Sequence, residues 1–257
     1  MKKAFLCMIA ALALAPHAGA TPLEAAAESY RPHLNEDIGQ ALAGARTLRE
    51  RLAANDLDGA RRAWIAARVG WERSEVFTSG FVPELDEAID AWPNANHGFH
   101  GIEASLFGAG RTDAGAETDA LVGHLADLHA QLAHVDLVPQ RLLNGLARLA
   151  FEIGGNKADG GESRLSGTSL SDMQSNADGV ALAYRLIFAD AVAAADPKLA
   201  AATHAAIERL QAAVKISDLR NLDADELRAD SEEFIALLQM AAPKIGLDKP
   251  TLEEGAR

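Results

Sequence analysis

Apolar residues in this chain recur three and four positions apart, and no four-residue segment alternates well enough to make a strand. That spacing lines up one face of an α-helix and leaves a sheet with no inward face of its own. The run Ala41, Leu42, Ala45, Leu48 and Leu52 forms the clearest stripe. Alanine is abundant, aromatic residues make up only 5% of the chain, and runs of β-branched residues are missing. The fold class that follows is all-α.

The periodicity predicts a first long helix over 23–53, broken near Pro32, with Asn55-Asp56 supplying a turn and a cap for the next. A second helix is predicted over 57–77, carrying Trp64, Ile65, Val69, Trp71 and Val76, and ended by Gly80 and Pro83. A short helix over 84–90 is stopped by Pro93. Another short one, 98–108, bears the stripe Phe99, Ile102 and Leu106. Further helices are predicted over 118–134, 139–151, 170–195, 197–214 and 224–242, with 247–257 as a frayed tail. Residues 154–168 are glycine-rich and polar, but they lack the GxxxxGK[ST] spacing that cradles phosphate. No exact repeat or low-complexity linker divides the chain, so 21–257 is expected to be one helical domain.

The first twenty residues read differently. Met1-Lys2-Lys3 precedes an apolar run over 4–15 and the small-residue sequence Ala18-Gly19-Ala20. This is the pattern of a cleavable secretory signal, residues 1–20. The run is too short to span a bilayer, which takes roughly 20 residues. No other segment is a membrane-span candidate, so the expected location is the periplasm and the expected state is not membrane-embedded. Cys7, the only cysteine, lies inside the apolar run and not at its end, which argues against a lipid anchor. Without it the chain has no disulfide, no thiolate ligand and no cysteine nucleophile. A transition-metal site must then be built from histidine and carboxylates, a donor set that suits iron, manganese or zinc over copper(I). The formal net charge is −13, and losing Lys2 and Lys3 with the leader makes it more negative. Nucleic acid and anionic membrane surfaces are disfavoured as partners.

Two segments carry candidate ligands. His100 and Glu103 stand at i and i+3 on the short 98–108 helix and share a face, so they can hold one metal ion between them or hydrogen-bond to each other. Glu72 and Glu75 are also at i and i+3, on a stretch that Trp71 and Val76 mark as packed. Packed carboxylates require a partner; a metal ion is one, and Arg68, four residues before Glu72, is the other. Asp90 lies 10 residues before His100, and Glu162 lies in the glycine-rich loop; each is also readable as a helix end or a loop charge. His97 is expected at the surface. His124, His129 and His134 recur every fifth residue, which does not return them to one helix face. If Glu72, Glu75, Asp90, His100, Glu103 and Glu162 converge in a bundle, they make an oxygen-rich, one-histidine site of a kind that helical bundles use for iron or manganese. Such a cluster cannot stay fully ionised without a cation.

Five motifs in order resemble one family. They are Trp71-Glu72-Arg73-Ser74-Glu75, then Leu85-Asp86-Glu87-Ala88-Ile89-Asp90, then Gly98-Phe99-His100-Gly101-Ile102-Glu103 with Leu106-Phe107, then Gly161-Glu162-Ser163-Arg164-Leu165-Ser166, then Gln174-Ser175-Asn176-Ala177-Asp178-Gly179. The pattern is similar to the imelysin-like (M75) domain family of periplasmic iron-uptake proteins, the EfeO and EfeM type, over roughly residues 24–247. The resemblance implies two packed four-helix bundles with the metal site in the cleft, and metal binding as a step in iron uptake. Carried over by position, it implies His100 and Glu103 as the HxxE pair and Glu72, Glu75, Asp90 and Glu162 as the other acidic ligands. The implied ion is iron, with zinc, copper or manganese as the other fits, and the implied partner is a membrane iron permease. The chain departs from the pattern at Gly101, where the family carries a basic residue, and at Leu165, Gly167 and Ser169 in the late motif. No cupredoxin-like domain precedes the motifs, so the short EfeM form is expected, without an oxidising copper centre. Metal capture rather than catalysis is the leading expectation. An M75-type metallopeptidase is one alternative, although HExxH is missing. A metal-dependent module binding a polysaccharide or envelope partner is the other.

Overall fold

Helix α1, Pro22–Ala53, opens with a reciprocal cap. The Glu24 amide donates to Thr21 Oγ1 at 3.2 Å, and the Thr21 amide donates to the Glu24 carboxylate at 2.6 Å. The computed structural model describes residues 21–91 and 96–252. The predicted break at Pro32 does not occur: α1 runs through it unbroken. Pro32 and Glu28 both lie on the exposed face, where water can replace the donor that proline lacks, while the buried Tyr30 and Leu34 anchor the turns on either side.

Helix α2, Leu57–Phe81, starts at Asp56, whose carboxylate accepts from the Gly59 amide at 2.9 Å. It continues a turn beyond the predicted end at Phe77. Phe77 and Phe81 stack with centroids 4.9 Å apart, and that contact outweighs the cost of Gly80 inside the helix, about 1 kcal/mol. Helix α3 (Pro83–Asp90) follows, then α4 (Gly98–Glu103), which continues as a π-helical turn over Ala104–Gly108. The predicted stop at Pro93, the leader 1–20 and the last five residues of the tail lie outside the described residues. The rest of the chain gives α5 (Gly115–Gln131), α6 (Pro139–Gly154), α7 (Ser169–Ala183), α8 (Ala189–Ala195), α9 (Pro197–Val214) and α10 (Ala224–Ala241). The predicted helix over 170–195 is present as one unbroken helical run, with a π-helical turn at Tyr184–Phe188 joining α7 to α8. Among the described residues there is no strand.

The helices form two groups. In the first, α1 packs on both α2 and α5, and the short α3–α4 pair bridges α2 and α5 on the fourth side. In the second, α6, α7, α9 and α10 form a bundle. Helix α2 belongs to both, since it also packs on α6 and α7. Gly179 makes this possible, because a Cβ there would lie 2.4 Å from the Arg73 carbonyl of α2. One continuous apolar core runs through both groups, from Tyr30, Trp64 and Phe77 to Leu146, Phe188 and Phe234. No described helix is long and apolar enough to cross a membrane.

Candidate metal centre

The non-helical segment 155–168 lies against α2, α3, α4 and α7, and the six predicted residues meet there. Glu72 and Glu75 come from α2, Asp90 from the last residue of α3, His100 and Glu103 from α4, and Glu162 from the segment between α6 and α7. Gly98 brings α4 onto α3. Its φ is +60°, and a Cβ would stand 2.2 Å from the Ile89 carbonyl, so only glycine allows His100 to turn back over Asp90. Gly101 is also constrained, with its Cβ position 2.6 Å from the Asn96 backbone. This chain thus has no room for the basic residue that the family pattern carries there.

His100 is buried, and its two ring nitrogens have different roles. Nδ1 lies 3.2 Å from Glu103 Oε2. The other Glu103 oxygen accepts from the Ser166 amide at 2.8 Å and the Ser166 hydroxyl at 2.7 Å. Nε2 has no hydrogen-bond partner, although Asp90 Oδ1 lies 3.3 Å away. One ring nitrogen of His100 and one oxygen each from Asp90 and Glu162 lie within 4.8 Å of one another. A second trio, Glu72, Glu75 and Asp90, meets the same limit and shares Asp90 with the first. An orphaned buried nitrogen beside Asp90, on a histidine clustered with Asp90 and Glu162, fits a metal ion, and a carboxylate on the opposite ring nitrogen is the usual way to orient a metal-binding imidazole.

Two buried cations also occupy the cluster. Arg68 is 1% exposed and ion-pairs with Glu72, Asp90, Glu162 and Asp172. Its guanidinium carbon sits 5.3 Å from the Phe99 ring centroid and 5.6 Å from that of Trp64, so aromatic faces hold it as well. Lys157 donates to Glu72 and Glu75 at 3.0 Å each and to Asn176 Oδ1 at 2.9 Å, and lies 3.2 Å from Glu162. The salt-bridge reading of Glu72 through Arg68 is therefore correct as far as it goes, but the acidic groups outnumber these partners. Trp71 Nε1 donates to Asp90 at 2.6 Å, and Ser163 donates to Asp172 at 2.5 Å.

The excess negative charge marks the titration behaviour. Burial raises the Glu162 carboxyl to about 7, with Glu72 and Asp90 adding to the rise against the pull of Lys157 and Arg68. Burial likewise lifts Asp172 to about 6 and Glu75 well above the usual range. Glu72 moves the other way, to about 2, because Arg68 and Lys157 together overcome its burial. For His100, burial works against protonation but is outweighed by Asp90 and the Glu103 hydrogen bond, so its value rises. Buried carboxylates in excess of their counter-ions leave a site that a further cation stabilises.

Sequence reasoning missed Lys157 and Asp172 altogether. Asp172 stands four residues before Asn176 on α7, a spacing that places both on the face toward α2 and could have suggested it. Lys157, a single basic residue in a glycine-rich stretch, carries no local signal. Of the surface histidines, His97 is exposed as expected, 3.2 Å from the Glu87 carbonyl.

The imelysin (peptidase M75) family model matches residues 26–97 and 94–243. The chain belongs to the imelysin family. Among its curated relatives is an iron uptake system component EfeM from Pseudomonas syringae, 28% identical over 196 residues, covering 70% of this chain and 68% of the relative. An iron uptake system component EfeO from Yersinia pseudotuberculosis is 30% identical over 161 residues, 58% of this chain but only 42% of the relative. An EfeM/EfeO family lipoprotein from Staphylococcus aureus is 28% identical over 179 residues, 64% of this chain and 61% of the relative. This imelysin-family chain thus spans about two fifths to two thirds of the length of these relatives. Its fold is shared with the crystal structure of a protein described as an iron-regulated protein A precursor from Parabacteroides distasonis, with TM-score 0.66 and 16% identity over 88% of this chain and 97% of the other.

Proposed function

We propose that this imelysin-family protein captures an iron ion outside the cytoplasm and passes it to a membrane permease, as one component of an iron uptake system. The reading is supported by the names of the EfeM and EfeO relatives and by the signal-like residues 1–20. The observation that carries it is His100 Nε2, buried without a hydrogen-bond partner 3.3 Å from Asp90, in a histidine that clusters with Asp90 and Glu162. In this reading Asp90, His100 and Glu162 hold the ion. Glu103, with one oxygen on His100 Nδ1 and the other taken by Ser166, orients the imidazole. Glu72 and Glu75 add negative charge beside the ion. A cavity of about 510 Å³, lined by Glu75, Asp86, Asp90, Glu152 and Glu162 among others, offers an acidic approach from solvent.

The test is calorimetric titration with Fe(II) under anaerobic conditions, chelated Fe(III), Zn(II) and Cu(II), on the wild type and on His100→Ala and Glu103→Gln. Saturable iron binding that His100→Ala abolishes is expected. Glu103→Gln, which removes the carboxylate charge on His100 Nδ1 and alters the acceptor of the Ser166 bonds, is expected to weaken it by about 10–100-fold. Iron affinity no better than that of a nonspecific acidic protein, or unchanged in His100→Ala, would sink the reading.

A further inference from the structure

We propose that Lys157 is a tethered counter-ion filling a second cation position beside the Asp90–His100–Glu162 site, so that the protein holds one metal ion where its carboxylates could hold two. The inference rests on the capture reading for the first position and adds what limits the second.

The ammonium sits in a shell made only of oxygen. Glu72 Oε2 and Glu75 Oε2 are 3.0 Å away, Asn176 Oδ1 is 2.9 Å away and Glu162 Oε1 is 3.2 Å away. Four oxygens surround a group with three N–H donors. That is the coordination of a compact cation, drawn from α2, α7 and the segment between α6 and α7, and it exceeds what the hydrogen bonds of one lysine require. The shell also overlaps the Glu72–Glu75–Asp90 trio, whose oxygens already lie within metal-sharing distance of one another. The side chain that fills it is itself buried.

The tether is short and fixed. The Lys157 amide donates to the Glu152 carbonyl at 3.0 Å just past the end of α6, which holds the backbone at the rim while the side chain reaches inward. Arg68 cannot replace it, because its guanidinium is fixed over Trp64 and Phe99 and committed to Asp90 and Asp172 as well as Glu72 and Glu162. Removing the lysine charge would leave Glu72, Glu75, Glu162 and the Asn176 carbonyl around an open position at the wall of the 510 Å³ cavity. An all-oxygen donor set of that kind suits a hard divalent ion such as Mn(II) or Fe(II).

The experiment is stoichiometry by calorimetry with Mn(II), and with Fe(II) under anaerobic conditions, on the wild type, Lys157→Met, Lys157→Gln and Lys157→Arg, with helix content checked by circular dichroism. The expected result is one ion for the wild type and for Lys157→Arg, and two ions for Lys157→Met and Lys157→Gln. A neutral variant that is unfolded alone but folds when Mn(II) is added supports the proposal, since the metal then replaces the ammonium. Folded neutral variants that bind no more ions than the wild type overturn it, as do neutral variants that stay unfolded with Mn(II) present or a wild type that already binds two. The two readings separate cleanly. A wild type that binds nothing while the neutral variants bind one ion would remove the capture reading and keep the lysine proposal, and one ion in every protein would do the reverse.

Discussion

Helix α2 meets two contrasting neighbours. Toward α1 its backbone comes so close that a Cβ on Gly44 would lie 2.7 Å from Ala67 Cα and one on Gly70 would lie 2.9 Å from the Ala41 nitrogen, among the buried Ala41, Ala45 and Leu48 of α1. Toward α7 and the segment 155–168 it presents Arg68, Glu72 and Glu75 to Lys157, Glu162, Asp172 and Asn176. Both interfaces are buried and closely packed. The first excludes water from apolar surface and is stabilising in itself. The second removes charges from water, which costs several kcal/mol per ion and is only offset when every charge has a partner. One helix thus has a face that holds the fold together and a face that holds charges in fixed positions against the preference of the fold.

The largest effect should come from taking one charge out of the second face. Arg68→Ala leaves Glu72, Asp90, Glu162 and Asp172 facing one another without their shared cation. The expected loss is about 3–5 kcal/mol of unfolding free energy, read from the denaturant midpoint. The molecules that remain folded should bind Mn(II) more tightly than the wild type, because a positive charge beside the site has gone. A neutral effect on stability would mean that solvent already screens these charges, and the contrast between the two faces would fall.

The second effect sharpens the contrast from the other side. Leu48, one turn along α1 from the Gly44 that meets Ala67 of α2, is fully buried. Leu48→Ala should cost about 3 kcal/mol by loss of apolar burial and the cavity left behind, and should leave the metal affinity of the folded protein unchanged. A change in metal affinity comparable with that of Arg68→Ala would show the two faces to be mechanically coupled.

The apolar face was the more legible in the sequence. Ala41, Leu42, Ala45, Leu48 and Leu52 repeat at the helical period, and that period is a local property that survives without knowledge of any partner helix. The charged face was half legible. Glu72 and Glu75 stood out because carboxylates inside a packed stretch need partners, and His100 with Glu103 stood out by spacing. Lys157 did not, because its partners are Glu72, 85 residues away, and Glu75, 82 residues away, and no periodicity in a glycine-rich segment announces where a side chain will go. The division of labour between His100 and Glu103 was equally hidden, since a shared helix face permits either joint coordination or a hydrogen bond. Ser166, from another segment, takes up the spare Glu103 oxygen. Pro32 misled for a similar reason: it falls on the exposed face of α1, where water can serve the freed carbonyl, and the buried residues on either side hold the helix together.

The smallest effect lies at the rim of the charged face. Burial raises the Asp86 carboxyl from an ordinary 3.8 to about 6, with the charges of Asp90 and Glu152 adding to the rise and Arg148 opposing it. The sign of the consequence follows from proton counting. Between about pH 4 and 6 the folded protein keeps a proton on Asp86 that the unfolded chain has released. The stability Asp86 contributes is therefore complete below pH 4 and is lost as the pH rises through 6. Asp86→Asn holds a neutral group at every pH and escapes that loss. Relative to the wild type, the variant should gain about 1 kcal/mol on going from pH 4 to pH 7.5, because Asp86 is only part-buried and solvent screens the rest. Thermal unfolding of both proteins at the two pH values measures the difference directly. An equal midpoint shift in both proteins would mean that Asp86 titrates normally and that the electrostatic strain of this face stops at Asp90, without spreading along α3 toward the cavity mouth.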